Sequence, residues 1–267
     1  MQADNLNLCL FPMEIFWEDK EKNLQTLENI FPSIHPETDL VVLPETFSTG
    51  FPSDKEKDYV RDFAERNTGK TVDLLKELAK KYNVAIAGSF IADTGGSLYN
   101  RGFFIEPSGD EYFADKRHLF APGGENKVFS QGSQRMKVRF RGWNISMIIC
   151  YDLRFPVWCR NVGNEYDLLI AIANWPEVRV KVWDTLLVAR AMENLSYVCG
   201  VNCCGVDKGG HNYNGSSMVI DPTGKNITVS IGDERLLYAS LSKTKLDNFR
   251  AKFAAWKDAD RFEILNN

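Results

Sequence analysis

Short apolar runs alternate with stretches of helical periodicity along most of this sequence. Apolar runs of strand length lie at residues 6–12, 39–43, 84–90, 167–173 and 197–203. Apolar side chains at helical spacing predict helices over residues 18–34, 68–82, 180–194 and 244–253, and from about residue 156. Continuous apolar strands are typical of sheets that are buried on both faces, so this pattern predicts mixed sheets covered by helices.

Hairpins interrupt this alternation. Residues 98–105 and 111–115 flank a Pro-Ser-Gly-Asp turn, and residues 136–140 and 143–149 flank an Arg-Gly turn, so each pair predicts an antiparallel hairpin. Further strands are expected at 214–220, 225–230 and 234–240. About a dozen strands are many for one open sheet. We therefore expect two packed sheets with helices on their outer faces, in a single α/β domain over residues 1–267.

Composition and charge exclude several classes of protein. Of the 267 residues, 44% are apolar and 25% are charged, as in ordinary globular proteins. The net charge of −4 leaves no basic surface for nucleic acid, and no apolar run approaches the roughly 20 residues that cross a bilayer. The N-terminal residues do not resemble a secretory signal. The six cysteines are too sparse for a disulfide scaffold, so we expect reduced thiols in a cytoplasmic protein.

Reactive side chains follow three of the predicted strands. Glu45 follows a Val-Val-Leu-Pro run, Lys116 leaves a strand amid aromatic residues, and Cys150 ends the most apolar strand. Ligand sites of α/β folds usually lie at the carboxyl ends of strands. If these groups converge, the thiol can attack a carbonyl, the carboxylate can move a proton, and the ammonium can hold an oxyanion with the Tyr151 backbone N–H. A helix N-terminus and a nearby cation would also favour the thiolate.

Taken singly, these residues have ordinary structural explanations: an inert core thiol, a loop carboxylate and a solvated lysine. Taken together and in this order, they resemble the catalytic set of the nitrilase superfamily of carbon–nitrogen hydrolases. The resemblance spans essentially the whole chain and is carried by the segments LPETF (43–47), KRHLF (116–120), CYDLRFP (150–156), NWP (174–176), ARAMEN (189–194), GVN (200–202), YNGSS (213–217) and WKDAD (256–260). The NWP and WKDAD segments are similar to the bacterial omega-amidase branch, whose members deamidate small 2-oxo acids.

The resemblance implies a four-layer α-β-β-α sandwich and a homodimer that acts on a small-molecule amide without a cofactor or metal. It implies that Cys150 is the nucleophile, Glu45 the general base and acid, and Lys116 the oxyanion stabiliser. Glu125 matches a second family glutamate that supports the lysine and the substrate. The family pattern also differs at one point, because Cys203 and its neighbour replace the basic-plus-aliphatic pair that is common after Val-Asn.

Three further residues are candidates for binding the substrate. A 2-oxo acid amide carries a carboxylate, which favours a bidentate cation, and Arg154 is the candidate for that role. Trp175 and Phe120 are candidate walls of the pocket, although aromatic residues are nearly as common in plain cores.

Other interpretations remain open. The same thioester chemistry could serve a nitrile, a carbamoyl amide or acyl transfer. A Cys–His protease could use His118, although a structural hydrogen-bonding role suits that residue better. A metal or redox module could use Cys199, Cys203 and Cys204, but their spacing lacks the paired pattern of zinc sites. A scaffold protein with an inactive site is a further alternative.

Overall fold

A computed structural model describes residues 4–51 and 55–265. Its strands are β1 (Asn5–Leu10), β2 (Leu40–Val42), β3 (Ala85–Asp93), β4 (Leu98–Ile105), β5 (Glu111–Asp115), β6 (Met136–Phe140), β7 (Trp143–Ile149), β8 (Leu168–Ala173), β9 (Tyr197–Asn202), β10 (Cys204–Val206), β11 (Asn212–Asn214), β12 (Met218–Ile220), β13 (Val229–Ser230) and β14 (Leu237–Ser242). Its helices are α1 (Lys20–Ile30), α2 (Lys57–Arg61), α3 (Lys70–Tyr82), α4 (Glu125–Val128), α5 (Pro156–Cys159), α6 (Val180–Asn194) and α7 (Lys243–Lys252).

The described strands form two mixed sheets and a small ribbon. The first sheet has the order β13-β14-β1-β2-β3-β4-β5, with β1, β2 and β3 parallel and the outer pairs antiparallel. The second has the order β12-β9-β8-β7-β6, with β7, β8 and β9 parallel. Strands β10 and β11 pair separately as an antiparallel ribbon.

The two sheets pack face to face through alternate residues of their strands. Leu8 and Val42 of the first sheet belong to the same buried cluster as Ile145 and Ile170 of the second. Because successive side chains of a strand point to opposite faces, Cys9, between two such positions, faces the other way and packs under the outer helices. The inter-sheet layer is therefore the central core of the molecule.

Helices cover both outer faces. Helices α1 and α3 lie on the first sheet through buried residues that include Leu27 and Leu75. Helix α6 lies on the second sheet through Trp183 and Leu187. The predicted four-layer α-β-β-α sandwich is thus confirmed. None of the helices in the described part of the chain combines the length and apolarity of a bilayer span.

Several predicted boundaries differ from the structure. The helix predicted over residues 18–34 begins at Lys20 and ends at Ile30, since Asp19 caps its first turn and Pro32 sits in the 3₁₀ turn that follows. The strand predicted at 214–220 divides at Gly215, whose φ of +69° turns the chain from β11 into the second sheet. Of residues 225–230, only Val229–Ser230 is a strand.

The segment after β7 also differs from the prediction. A 3₁₀ turn, Cys150–Arg154, follows this strand directly, and the helix that was expected from about residue 156 is only the four-residue α5. Cys150 is the first residue of this turn, so the chain changes direction at the cysteine.

Candidate active site

A cluster of charged side chains is buried where the two sheets meet. The Lys116 Nζ lies 2.9 Å from Glu45 Oε1 and 2.9 Å from Glu125 Oε1. The Asn100 Nδ2 donates to Glu45 Oε1 at 2.7 Å. All four residues are at most 2% exposed. A buried charge is stable only when it is paired and hydrogen-bonded, and this network meets both conditions for the lysine.

Backbone contacts fix the carboxylate and the ammonium from both sheets. Glu45 follows β2 in the first sheet, and its Oε2 accepts a hydrogen bond from the backbone N–H of Asn174, which follows β8 in the second sheet. The Asn174 Nδ2 donates to the hydroxyl of Thr46, whose φ of +41° is unusual for a β-branched residue. Lys116 follows β5, and its N–H donates to the Asn100 carbonyl.

Cys150 stands at the tip of a strained turn. Its φ of +48° lies in the left-handed region, which costs a non-glycine residue about 1–3 kcal/mol and recurs at active sites. The Glu45 carboxylate lies close enough to the thiol to raise its pKa. The structure thus brings Glu45, Lys116 and Cys150 together from three separate strand ends, with Glu125 on the far side of the lysine.

The charges in this cluster set the ionisation of each group. Burial raises the pKa of the Cys150 thiol well above its usual range, and the Glu45 carboxylate raises it further, whereas Lys116 opposes this rise. Burial alone would lower the pKa of Lys116, but the charges of Glu125 and Glu45 outweigh it, and the net pKa lies well above the usual value. Burial also raises the pKa of Glu125. The expectation of a favoured thiolate is therefore wrong: the thiol is neutral and lies beside a carboxylate.

A cavity of about 300 Å³ opens above the thiol. The three predicted substrate residues, Arg154, Trp175 and Phe120, line it together with the Glu45, Lys116 and Cys150 side chains. Tyr151, the predicted backbone oxyanion donor, lines it as well. The Arg154 guanidinium lies over the Trp175 ring, 5.0 Å from its centroid. The Tyr151 ring meets the Phe120 ring edge-on. The walls are thus aromatic and carry a cation.

The sequence did not identify three residues of this site. Arg179 lines the cavity, and its guanidinium lies 5.8 Å from the Phe120 ring centroid. No motif in the neighbouring sequence indicates that this arginine belongs to the site. Asn100 lies within β4, where a lone polar residue is more typical of a solvated strand face. Asn174 belongs to the NWP segment and could have been found there. The arginines of the cavity rim, Arg154 and Arg179, form no ion pair with any residue that the structure describes.

Histidine is not the partner of the thiol. The His118 Nδ1 lies 2.8 Å from the Asp152 carboxylate, and its ring stacks on Phe155 with 3.7 Å between centroids. His211 lies at the rim of the cavity, where Asp207 holds its ring and its side chain is 58% exposed. This arrangement favours a scheme in which a carboxylate is the base.

The remaining cysteines are dispersed. Cys199 belongs to the inter-sheet core, Cys203 packs in a separate cluster with Tyr213, and the Cys204 thiol lies 3.1 Å from the Pro12 carbonyl oxygen. Over residues 4–51 and 55–265, no group of three or more histidine, cysteine or acidic side chains is arranged to hold a metal ion. The geometry therefore gives no support to a metal or redox module.

Known proteins resemble this chain along almost its whole length. The model of the carbon–nitrogen hydrolase family matches residues 8–251. The omega-amidase YafV of Yersinia enterocolitica is 38% identical over 97% of this chain and 99% of its own. The 2-oxoglutaramate amidase of Bacillus subtilis (strain 168) is 29% identical over 94% of this chain and 95% of its own.

Solved structures agree. The crystal structure of XC1258 from Xanthomonas campestris, a CN-hydrolase superfamily protein with an arsenic adduct in its active site, is 37% identical to this chain. It covers 98% of this chain and 100% of its own, with a TM-score of 0.91. The resemblance predicted from the sequence is confirmed, and the chain belongs to the carbon–nitrogen hydrolase family of the nitrilase superfamily.

Proposed function

We propose that this chain is an omega-amidase, which hydrolyses the terminal amide of a small 2-oxo acid, of the 2-oxoglutaramate or 2-oxosuccinamate type, to the dicarboxylate and ammonia. One observation carries the proposal: a thiol, a carboxylate and an ammonium lie in a cavity whose rim bears the guanidinium groups of Arg154 and Arg179, which form no ion pair with any described residue. A ligand with an amide at one end and a carboxylate at the other matches this distribution. The omega-amidase and 2-oxoglutaramate amidase relatives support the same activity.

The first half of the reaction forms a thioester. The Cys150 sulfur attacks the amide carbon while its proton passes to Glu45, the carboxylate that acts most strongly on the thiol. The carbonyl oxygen becomes an oxyanion that the Lys116 ammonium and the Tyr151 backbone N–H stabilise, each donor contributing about 3–4 kcal/mol. Glu45 then returns the proton to the departing nitrogen, the C–N bond breaks, and ammonia leaves.

The second half releases the acid. Glu45 takes a proton from a water molecule that attacks the thioester carbon, and the same two donors hold the second oxyanion. The C–S bond breaks, the sulfur recovers its proton from Glu45, and the dicarboxylate leaves. Because Lys116 stays charged between Glu45 and Glu125, it serves as a fixed positive charge rather than a proton donor.

Ammonia release tests the substrate. We expect the highest kcat/KM with 2-oxoglutaramate or 2-oxosuccinamate, lower values with glutamine and asparagine, and none with a simple nitrile. A preference for the nitrile would instead support the nitrilase alternative, and equal rates with all amides would contradict recognition of a 2-oxo acid.

The nucleophile has a direct test with a matched control. Cys150→Ala should abolish ammonia release while circular dichroism shows an intact fold. Cys204→Ala, at a half-buried thiol outside the charged cluster, should keep the wild-type rate. Undiminished ammonia release by the Cys150 variant would reject the mechanism.

We also propose that the protein is a cytoplasmic homodimer. Cysteines stay reduced in the cytoplasm, and all six cysteines are unpaired in the structure. Apolar side chains are exposed on α5, on α6, on the turn after α5 and on the turn before α6: Val157, Val162, Val178, Val182 and Met192. We propose that these side chains form one apolar patch that a second copy of the chain covers, as the family resemblance implies.

A further inference from the structure

The Asp152 carboxylate joins the cysteine turn to the lysine segment. It is 2% exposed. Its Oδ2 accepts the backbone N–H of Ile149, the residue before the cysteine, at 3.1 Å. Its Oδ1 accepts both the backbone N–H and the ring Nδ1 of His118, two residues after the lysine, at 2.8 Å each. One side chain therefore spans the two segments that carry Cys150 and Lys116.

Each end of this bridge is rigid. On the cysteine side, the bond from the Ile149 N–H to the Asp152 carboxylate closes the first turn of the 3₁₀ segment Cys150–Arg154. On the lysine side, the His118 ring stacks nearly parallel to Phe155, with an interplanar angle of 6°, so its orientation is fixed as well. The bridge can thus keep the segment that carries Cys150 at a fixed distance from the segment that carries Lys116.

Asp152 acts by geometry rather than by charge on the thiol. The groups that shift the pKa of Cys150 are Glu45, Lys116 and Glu125, after burial. The Asp152 oxygens point instead at backbone N–H groups and at an imidazole nitrogen. Removing this carboxylate should therefore change where the segments sit while leaving the ionisation of the sulfur as it is.

We infer that Asp152 is a positioning residue that holds the two oxyanion donors, the Lys116 ammonium and the Tyr151 backbone N–H, at a fixed separation. The inference rests on the proposed function, which assigns those donors. Because the oxyanion exists only after the thiol has attacked, a change in donor separation weakens binding of the transition state and leaves binding of the substrate nearly unaffected. The effect therefore falls on kcat and not on KM.

Asp152→Asn tests this role with almost no change of shape. The amide keeps one acceptor oxygen but presents an NH₂ group to the other partner, so one arm of the bridge is lost. We expect kcat to fall about 10–100-fold, less than for complete loss of an oxyanion donor, with KM within about threefold of wild type. A folded variant with an unchanged kcat, or with a KM that rises as kcat falls, would overturn the inference.

Two further variants separate positioning from stability. His118→Phe keeps a ring on Phe155 but loses the ring hydrogen bond, so kcat should fall by less than in Asp152→Asn, and the double variant should be no worse than Asp152→Asn alone. Asp167→Asn is the matched control. This carboxylate is also buried, at 1% exposure, but its hydrogen bonds to Arg250 and to the Asn144 N–H do not involve the residues that line the cavity. The substitution should lower Tm at the wild-type kcat. An equal fall in kcat for Asp152→Asn and Asp167→Asn would overturn the inference. If Asp152→Asn does not fold, the kcat of His118→Phe provides the test instead.

Alkylation by iodoacetamide, read at Cys150 by mass spectrometry, keeps this test independent of the substrate. We expect Asp152→Asn to keep the wild-type pH profile of alkylation although its turnover has fallen. A shifted profile would show that Asp152 acts on the ionisation of the thiol, which overturns the positioning role. Failure of the proposed function has a different signature, namely ammonia release that survives in Cys150→Ala.

Discussion

At the scale of single residues, the neutral Cys150 thiol determines how the enzyme starts its reaction. Burial and the Glu45 carboxylate both raise its pKa, so in the proposed mechanism the sulfur keeps its proton until a substrate is bound and Glu45 accepts it. Nucleophilicity then depends on the proton transfer and not on a standing thiolate.

The first prediction concerns Glu45→Gln and pH. Since the negative charge of Glu45 raises the pKa of Cys150, its removal should lower that pKa and move the onset of iodoacetamide alkylation to lower pH. Turnover should nevertheless fall roughly 10²–10⁴-fold, because the general base is lost. The measurement is the alkylation rate at Cys150 as a function of pH. Glu125→Gln should shift the profile less, and a shift of the Glu45→Gln profile to higher pH would contradict the prediction.

The second prediction concerns the arginines at the rim of the cavity. Arg154→Met and Arg179→Met should each raise KM for 2-oxoglutaramate by roughly 10–100-fold, the equivalent of about 1.5–3 kcal/mol for a charge-assisted hydrogen bond. Since neither guanidinium contacts the reacting carbon, kcat should change little. Steady-state kinetics with 2-oxoglutaramate and with an uncharged aliphatic amide measure this. An unchanged KM for the acid in both variants would remove the carboxylate site from this rim.

At the scale of elements, helix α6 depends on a glycine beneath it. A Cβ on Gly200 of β9 would lie 2.4 Å from Leu187 Cδ1 and 3.1 Å from Trp183 Cζ2, both on α6. The residue is therefore small so that the helix can approach the sheet, as its ordinary negative φ requires no glycine.

The third prediction follows from this contact. Gly200→Ala should lower the free energy of unfolding by about 1–3 kcal/mol through overpacking, and Leu187→Ala by about 2–5 kcal/mol through the cavity that it leaves. Because the new methyl group would occupy part of that cavity, the double variant should be more stable than the sum of the two losses predicts. Urea titrations of the three variants measure this, and strict additivity would contradict it.

The strands could be predicted where apolar runs are long and could not where they are short and exposed. The runs that became β1, β3, β7, β8 and β9 are mostly apolar and mostly buried, so periodicity and length sufficed. Strands β10 and β11 have only three residues each, too few for a pattern of apolar residues to be recognised. The loop between the two strands sets how they pair. Local sequence holds no signal for such pairing.

The residues of the site likewise fall into those that local sequence predicts and those that it does not. Glu45, Lys116 and Cys150 could be predicted because each follows an apolar strand, and the family resemblance joined them. Asn100 could not, since its role depends on the register of β4 beside the end of β5, which no local pattern encodes. The direction in which the pKa of the thiol shifts could not be predicted from the sequence either, because it depends on burial and on charged residues that are far apart along the chain.

At the scale of the whole molecule, apolar side chains remain uncovered on one helical layer. Val178 is 85% exposed and Val162 is 52% exposed, and both lie beside the second sheet's helices. A stable homodimer needs an interface of roughly 1,200–2,000 Å² or more, which only an extended surface of this kind can supply.

The fourth prediction is that a charge on this layer separates the subunits. Val182→Glu in α6 should shift the mass measured by light scattering from dimer to monomer, because the carboxylate would be desolvated in the interface. Val229→Glu, at a 50% exposed position on the edge strand β13, is the control and should stay dimeric. A monomeric wild type, or a dimeric Val182→Glu, would reject this surface as the interface.

The proton that Cys150 retains also bears on how long the enzyme lasts. Peroxide and other oxidants consume thiolates far faster than thiols, and the products beyond sulfenic acid are irreversible. A resting site that holds its sulfur protonated is therefore shielded during the intervals between turnovers. The enzyme should survive oxidative stress that inactivates proteins with standing thiolates.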